Sequence, residues 1–211
     1  MRLSIVIPVY NSSAFLSETV RQVIAAAEQL EVSFQLILVN DGSTDRAWEI
    51  LSALAKADGR LIAIDLERNY GQHIAMFCGI AHAGGDYILT MDDDLQNPPT
   101  EMGKLIRAIE QGEDVVFARF SKSQHPSYRR MGSKMLNLLT ILLFHKPKNL
   151  VLSNYRIFTK QVAKRMLLQA PAYPYLQGLL LNHAARISNV ETLHARRSVG
   201  HSNYSFWRLT K

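Results

Sequence analysis

The chain has 211 residues, of which 47% are hydrophobic and 20% charged, so it can bury a substantial core and is not intrinsically disordered. Its net charge is +6, with basic residues concentrated after Lys122 and acidic residues before Asp114. This asymmetry predicts an anionic partner for the second half, such as nucleic acid, phospholipid or a phosphorylated substrate. The single cysteine, Cys78, excludes an internal disulfide framework and is typical of a reducing compartment.

The first half alternates short apolar runs with stretches of helical periodicity. Strands are predicted at residues 3–9, 34–39, 61–66 and 86–91, and helices at 14–30, 46–57 and through His82. This alternation predicts a parallel, right-handed, doubly wound sheet whose ligands lie beyond the carboxyl ends of the strands. The first run is too short for a signal peptide and meets Pro8 early, so a cytosolic location or the cytosolic face of a membrane is expected.

The second half is less regular. It predicts a helix at 101–111, a strand at 114–119, a basic loop at 121–130, a strand at 151–159, a helix at 160–169 and a last strand at 187–195. The nearly continuous apolar run from Met135 to Phe144 is far shorter than the roughly 20 residues that span a bilayer. Two alternatives stay open for this run: a core helix, or an interfacial helix with its basic flanks on lipid headgroups.

Three adjacent carboxylates, Asp92, Asp93 and Asp94, follow the strand predicted at 86–91. Such carboxylates repel one another and need a counter-cation. Asp92, Asp94 and Gln96 alternate along the chain, so they can reach one face, and hard cations such as Mg²⁺ or Mn²⁺ bind through carboxylates together with substrate phosphates. This pattern predicts a metal–diphosphate site, although for an isolated triplet a solvated acidic loop is the simpler interpretation.

Four polar clusters each follow a predicted strand: Pro-Val-Tyr-Asn at 8–11, Val-Asn-Asp-Gly-Ser-Thr-Asp at 39–45, Arg-Asn-Tyr-Gly at 68–71 and Asp-Asp-Asp-Leu-Gln-Asn-Pro-Pro at 92–99. As an ordered set they resemble the GT-A-fold glycosyltransferases of family 2, along the length of the chain. The similarity is greatest to the polyprenyl-phosphate branch, the dolichyl-phosphate mannose synthases and undecaprenyl-phosphate sugar transferases. An acidic-x-acidic-x-Gln sequence before a Pro pair is typical of that branch.

The resemblance implies an α/β GT-A fold with a mainly parallel central sheet and helices on both faces. It implies one catalytic domain over residues 1–211, in which 1–100 bind the nucleotide sugar and 101–211 bind the acceptor. An interfacial helix at 133–145 would belong to the acceptor half. We also expect the chain to be cut from a longer protein in which membrane helices follow Lys211.

On the donor side, the resemblance places Pro8, Tyr10 and Asn11 along the nucleotide pocket and lets Asp41 accept hydrogen bonds from the base. An ordinary turn or helix cap is the alternative role for Asp41. Residues beside the ribose and diphosphate would be Arg68, Asn69 and Gly71.

The resemblance also divides the carboxylates. It directs Asp92 toward the ribose or sugar and puts Asp94 and Gln96 on Mg²⁺ or Mn²⁺. Asp93, in the variable middle position, is expected to point away, and it is counted with the donor-binding residues.

The segment 194–204 fits the family's Arg-x-x-Gly-x-Ser loop with Arg197, Gly200 and Ser202, which are expected to close over the donor diphosphate. The catalytic set is then Asp92, Asp94 and Arg197. Two positions depart from the family pattern: Asn203 stands where Lys is usual, and Ser12 stands where an acid is often found.

On the acceptor side, the segment 175–183 lacks the carboxylate base of relatives that glycosylate a hydroxyl. A phosphate acceptor is already ionised and needs no strong base. Arg119, Arg129 and Ser133 match the acceptor-phosphate residues of the polyprenyl-phosphate branch, and Arg129 and Ser133 are one helical turn apart. This match favours the interfacial alternative for the apolar run.

The expected function is therefore inverting, metal-dependent transfer of a sugar from a nucleotide sugar to a polyprenyl phosphate at the cytosolic face of a bacterial inner membrane. UDP is the expected nucleotide. The alternative is transfer to a hydroxyl of a lipid-linked or surface glycan. A nucleic-acid partner is not expected because the basic residues lack interleaved aromatic stacking positions. Homo-oligomerisation is left open.

Overall fold

The computed structural model describes residues 1–120, 146–169, 171 and 174–193. The strands are β1 (Arg2–Val9), β2 (Ser33–Asn40), β3 (Leu61–Asp65), β4 (Tyr87–Thr90), β5 (Val115–Phe120), β6 (Arg156–Thr159) and β7 (Ile187–Thr192). The described helices are α1 (Leu16–Gln29), α2 (Ala47–Ala57), α3 (Gln72–Ala81), α4 (Met102–Glu110), α5 (Lys160–Leu168) and α6 (Leu176–His183). A 3₁₀ turn, Pro99–Glu101, leads into α4.

The strands form one seven-stranded sheet in the order β3-β2-β1-β4-β6-β5-β7. β1 pairs in parallel with β2 and β4, and β2 pairs in parallel with β3. β6 is antiparallel to both β4 and β5, and β7 is parallel to β5. The predicted mainly parallel sheet is confirmed, with β6 as its reversed strand.

Helices cover both faces of the sheet, as predicted. Seven of the eight residues in β1 and in β2 are buried, which is the pattern of a strand covered on both sides. On one face, Leu3, Ile5 and Ile7 pack in a core that includes residues of α1, α2 and α4. On the other face, Val6 and Ile37 pack in a core that includes residues of α3, α5 and α6.

Three elements, β6, α6 and β7, differ from the sequence-based expectation. β6 begins at Arg156, whereas a strand was predicted over 151–159. The backbone N–H of Val151 donates to Oδ1 of Asn189 and its carbonyl accepts from Nδ2, both at 2.8 Å, so a side chain replaces a neighbouring strand there. α6 lies in a segment for which no element was predicted. β7 ends at Thr192, and residues from 194 onward lie outside the described part.

The predicted basic loop at 121–130 and interfacial helix at 133–145 lie outside the described residues, so the two alternatives for the apolar run stay open. In the part of the chain that the structure describes, no helix has the length and apolar character needed to cross a bilayer. Strands from residues 1–100 and from 101–211 join the same sheet, and the assignment of these halves to donor and acceptor stays a prediction.

Candidate active site

The polar clusters predicted from the sequence meet at one edge of the sheet. β1, β2, β3 and β4 run in parallel, so the loops that follow them leave from the same side. β5 has the same direction as β4 because both are antiparallel to β6. Because β6 runs in the opposite direction to β4, it is the beginning of β6 that lies at this edge.

The loops after β1 and β2 are joined by hydrogen bonds. The N–H of Asn11, which has a φ of +52°, donates to Oγ of Ser43 at 3.0 Å. Oδ1 of Asn11 accepts from the N–H of Thr44 at 2.8 Å, and the N–H of Ser13 donates to Asp45 at 2.9 Å. The side chain of Asn11 therefore holds the two loops together, and its predicted nucleotide contact, like those of Pro8 and Tyr10, stays a prediction.

Asp41 holds the loop after β3. Its side chain is buried, with a relative exposure of 2%, and its carboxylate oxygens accept the N–H groups of Tyr70 at 2.8 Å and Gly71 at 3.0 Å. Gly71 has a φ of +93° and stands immediately before α3, so Asp41 also fixes where α3 begins. The predicted contact of Asp41 with a base would be additional to this role, since each carboxylate oxygen has a second lone pair.

The loops after β2 and β3 approach each other at Gly42. This residue has a φ of +61°, and a Cβ there would lie 2.3 Å from the carbonyl carbon of Arg68. Arg68 and Asn69 are exposed, and the Arg68 guanidinium lies 5.0 Å from the centroid of the Tyr70 ring. The predicted ribose and diphosphate residues are therefore accessible at this edge.

Asp92 is held by two amides. Its Oδ1 accepts from Nε2 of Gln72 at 2.5 Å and from Nδ2 of Asn154 at 3.3 Å. Burial and then the charge of Asp94 raise the pKa of Asp92 to about 6, against the opposing effect of the Arg156 cation. Both amides donate to the same carboxylate oxygen, Oδ1.

Asp93 faces the loop after β1. Its carboxylate accepts from the hydroxyl of Ser12, and its carbonyl accepts from Oγ1 of Thr19 at 2.7 Å. Burial is the main cause that raises the pKa of Asp93 to about 7, and the charges of Asp92 and Asp94 add to it while the Ser12 hydrogen bond opposes it. Ser12, where the family pattern often has an acid, is thus a hydrogen-bond donor to the middle carboxylate.

Asp94 and Gln96 are both partly exposed, and Oδ1 of Asp94 accepts the N–H of Gln96 at 3.1 Å across Leu95, which has a φ of +56°. Within the described ranges, no three His, Cys, Asp or Glu side chains converge as a preformed metal cage. A hard cation that binds through one or two carboxylates and a diphosphate needs no such cage. Three adjacent carboxylates at one strand end, with the oxygen of Gln96 two residues further on, are hard oxygen ligands, so these residues fit a divalent cation.

Three residues of the site were not predicted: Gln72, Asn154 and Arg156. Arg156 is fully buried, with Nε donating to Oγ1 of Thr90 at 3.1 Å and Nη2 donating to Sδ of Met76 at 3.4 Å. A charged residue inside the apolar run Tyr-Arg-Ile-Phe was the signal available for Arg156. Nothing in the local sequence marks Gln72 or Asn154 as neighbours of Asp92.

The acceptor residues are described only in part. Arg119 is exposed near the carboxyl end of β5, at the same edge of the sheet as the carboxylates, opposite Glu191 of β7 in the strand register. Arg129 and Ser133, and the predicted closing-loop residues Arg197, Gly200 and Ser202, lie outside the described residues.

A mainly parallel sheet, with carboxylates after β4 beside polar loops after β1, β2 and β3, is the arrangement expected of a GT-A nucleotide-sugar-binding fold. Residues 4–171 match the model of Glycosyl transferase family 2, and the chain belongs to this family. The predicted family and fold are thereby confirmed.

Curated relatives are similar over almost the whole chain. An undecaprenyl-phosphate 4-deoxy-4-formamido-L-arabinose transferase of Photorhabdus laumondii is 35% identical over 209 residues, which cover 99% of this chain and 64% of the relative. The Proteus mirabilis protein of the same name is 36% identical with the same coverage. The chain thus spans about 64% of the length of these relatives.

Solved structures share the fold at low sequence identity. The Mycobacterium tuberculosis glucosyl-3-phosphoglycerate synthase, in complex with Mn²⁺, UDP-glucose and phosphoglyceric acid, has a TM-score of 0.66 and is 18% identical, covering 99% of this chain and 74% of that one. Staphylococcus aureus TarS 1-349, in complex with UDP-GlcNAc, has a TM-score of 0.60 and is 19% identical, covering 96% of this chain and 62% of that one.

Proposed function

We propose that the chain is the catalytic part of an inverting glycosyltransferase that uses a divalent metal to move a sugar from a UDP sugar to a polyprenyl phosphate. The reaction would take place at the cytosolic face of the bacterial inner membrane. The observation that carries the proposal is that the carboxylate cluster contacts Ser12 in the loop after β1 and Gln72 at the start of α3, in a chain 35% identical to an undecaprenyl-phosphate sugar transferase.

On the donor side, the proposed role of Asp92 is to accept a hydroxyl of the ribose or sugar through Oδ2, while Gln72 and Asn154 hold Oδ1. The nucleotide contacts are assigned to the loops after β1, β2 and β3. The proposed set is Pro8, Tyr10, Asn11, Asp41, Arg68, Asn69, Gly71 and Asp93. UDP is supported as the nucleotide by the two structural neighbours that were crystallised with UDP sugars.

Asp94 and Gln96 are the proposed ligands of Mg²⁺ or Mn²⁺. A bound ion would neutralise charge on the departing nucleoside diphosphate. Arg197, with Gly200 and Ser202, would add positive charge to the same diphosphate. The carboxylates need form no covalent bond to the sugar, because a single in-line displacement at the anomeric carbon suffices and inverts its configuration.

The acceptor is assigned as a phosphate because the site offers a cation and α6 offers no carboxylate base. The segment from Leu176 to His183 contains no Asp or Glu. A phosphate oxygen is already ionised near neutral pH, so it attacks without a strong general base. Arg119 lies at the site edge and would bind this phosphate together with Arg129 and Ser133.

The test is an in vitro transfer assay. The purified chain is mixed with undecaprenyl phosphate in detergent, Mn²⁺ or Mg²⁺, and one radiolabelled UDP sugar at a time, including UDP-glucose, UDP-GlcNAc and the UDP form of 4-deoxy-4-formamido-L-arabinose. Metal-dependent label in the butanol phase is the expected result. Label only on a hydroxyl-bearing glycan would favour the alternative acceptor, and no transfer from any donor by the folded chain would overturn the proposal.

Two variants separate the donor and acceptor sides. Asp94→Asn should lower turnover about a thousandfold and remove the metal-dependent part of UDP binding. Arg119→Ala should raise the KM for the lipid about tenfold and leave UDP binding unchanged. Glu110→Gln, on the exposed surface of α4, is the matched control. Equal loss of donor and acceptor binding in both variants would show that this division is wrong.

A further inference from the structure

Arg156 is a cation buried beneath the carboxylate cluster. Its relative exposure is 0%, and its two hydrogen bonds go to neutral acceptors, Oγ1 of Thr90 and Sδ of Met76. Its Nη1 has no hydrogen-bond partner among the residues that the structure describes. A buried guanidinium with neutral partners is unfavourable unless a negative charge nearby compensates for it.

The strand register fixes where this cation lies. β4 and β6 are antiparallel, and Thr90, the last residue of β4, pairs with Arg156, the first residue of β6. Asp92 follows two residues after Thr90, so the reversed strand places the guanidinium under the end of the strand that carries the carboxylates. The Phe117 ring, with its centroid 6.0 Å from the guanidinium carbon, adds an apolar neighbour there.

Asp92 and Arg156 act on each other through charge. The hydrogen bonds to Asp92 come from the amides of Gln72 and Asn154. Burial lowers the pKa of Arg156 to about 10 and the charge of Asp92 opposes this shift, so the guanidinium is still a cation at pH 8. In a buried setting such a charge interaction is screened less than at the surface.

We propose that Arg156 is a positioning residue that serves as the fixed counter-cation of Asp92 and limits how tightly the carboxylates bind a divalent cation before the donor arrives. The inference rests on the proposed function, because it assumes a metal at Asp94. Arg156 offsets one negative charge, so the metal binds strongly only when a nucleoside diphosphate supplies the missing negative charge. The metal would then enter with the UDP sugar and leave with UDP.

The test measures Mn²⁺ binding by electron paramagnetic resonance at pH 8, with and without UDP. Burial and the charge of Arg156 lower the pKa of His73, so this neighbouring imidazole is neutral at pH 8. Arg156→Gln removes the charge and can still donate a hydrogen bond. It should bind Mn²⁺ about fivefold more tightly than wild type without UDP. Arg156→Lys keeps the charge, and Met76→Leu removes the neutral sulfur partner, so both should bind as wild type does.

A merely structural role for Arg156 predicts the opposite sign. Arg156→Gln would then distort the end of β4 and bind Mn²⁺ less tightly, and unchanged or weaker binding without UDP would overturn the inference. If wild type binds no Mn²⁺ even with UDP, the metal site fails, and the proposed metal-dependent mechanism fails with it. Melting temperatures provide a second readout, because Mn²⁺ should raise the Tm of Arg156→Gln by more than it raises the Tm of wild type.

Discussion

The hydroxyl of Ser12 donates a hydrogen bond to the carboxylate of Asp93, although these residues are 81 positions apart in the sequence. The contact joins the loop after β1 to the loop after β4. An acid at position 12, which the family pattern often has, would place a second negative charge beside Asp93. A hydroxyl at position 12 therefore suits an aspartate at position 93, because it donates a hydrogen bond and adds no negative charge.

Ser12→Ala should destabilise the protein by about 1–3 kcal/mol, because it leaves a buried carboxylate without its hydroxyl donor. Urea unfolding at pH 8, above the pKa of about 7 of Asp93, measures the effect on the ionised form. Ser33→Ala, at an exposed position at the start of β2, is the matched control and should change stability by less than about 0.5 kcal/mol. Equal losses of stability in the two variants would show that the hydrogen bond from Ser12 to Asp93 does not stabilise the protein.

Gln72→Ala should lower kcat/KM for the UDP sugar by about 10- to 100-fold, because Asp92 loses its shorter amide hydrogen bond and no longer holds one orientation. Asn154→Ala should cost less, since its hydrogen bond is 3.3 Å long. Initial rates at varied donor concentration give both values, and Gln29→Ala, at the exposed end of α1, is the control.

Both amides donate to the same oxygen of Asp92. The fold-decrease in kcat/KM of the double variant Gln72→Ala, Asn154→Ala should therefore be smaller than the product of the two single fold-decreases. Strict additivity in this cycle would mean that the amides act on separate groups.

Gly42→Ala should destabilise the protein by about 1–3 kcal/mol and weaken UDP binding, because it combines a φ of +61° with a backbone contact of 2.3 Å at Arg68. Gly59→Ala is the matched control, since nothing lies within 4 Å of a Cβ built there. Chemical unfolding and UDP titration by calorimetry measure the two effects. The idea that the loops after β2 and β3 must approach closely would be wrong if Gly42→Ala bound UDP as wild type does.

Asp114 should make the free energy of unfolding depend on pH in the acidic range. Its Oδ2 accepts the N–H groups of Ala185 and Arg186, both at 2.9 Å, and the hydrogen bond from Arg186, followed by that from Ala185, lowers its pKa despite partial burial. A folded-state pKa below the ordinary value of about 3.9 means that the unfolded chain takes up the proton first. The stabilisation is therefore complete above about pH 5 and is lost as the pH falls through the folded-state pKa.

The measurement for Asp114 compares the unfolding free energies of wild type and Asp114→Asn across this pH range. The variant should be less stable by about 1 kcal/mol at pH 7, and the difference should shrink between about pH 5 and pH 3. A difference that is independent of pH would show that the carboxylate charge does not contribute. Glu110→Gln, exposed on α4, should follow wild type.

Much of the fold could be predicted because its signal is local. β1 and β2 are continuous apolar runs, and each ends at the polar residues that were expected beyond it. The direction of β6 could not be predicted from periodicity, because the same side-chain pattern reads in both directions. The strand predicted from Val151 failed at its beginning, since its backbone pairs with the side chain of Asn189, 38 positions away.

Prediction of the site from the sequence was limited in the same way, because only its local signals could be read. The carboxylates and the loops after the strands could be found from short motifs, but the contacts between them depend on which strands are neighbours. Asp41 and Gly71 were both recognised as candidates, but the hydrogen bonds that Asp41 accepts from the N–H groups of Tyr70 and Gly71 were not predicted. Gln72 and Asn154 meet at Asp92 from 20 and 62 positions away, and only the sheet order brings them together.

The reversed strand has a consequence for how such a site can diversify. At β6 the chain reaches the edge that carries the carboxylates by the segment that precedes the strand. It leaves at Thr159, whose N–H donates to the carbonyl of Asp114 near the opposite edge. Insertions or substitutions at Asn154, just before β6, would therefore change the surroundings of Asp92. Changes at the junction of β6 and α5 would leave those surroundings intact. The surroundings of Asp92 can thus change through one short segment without altering how the strands pair.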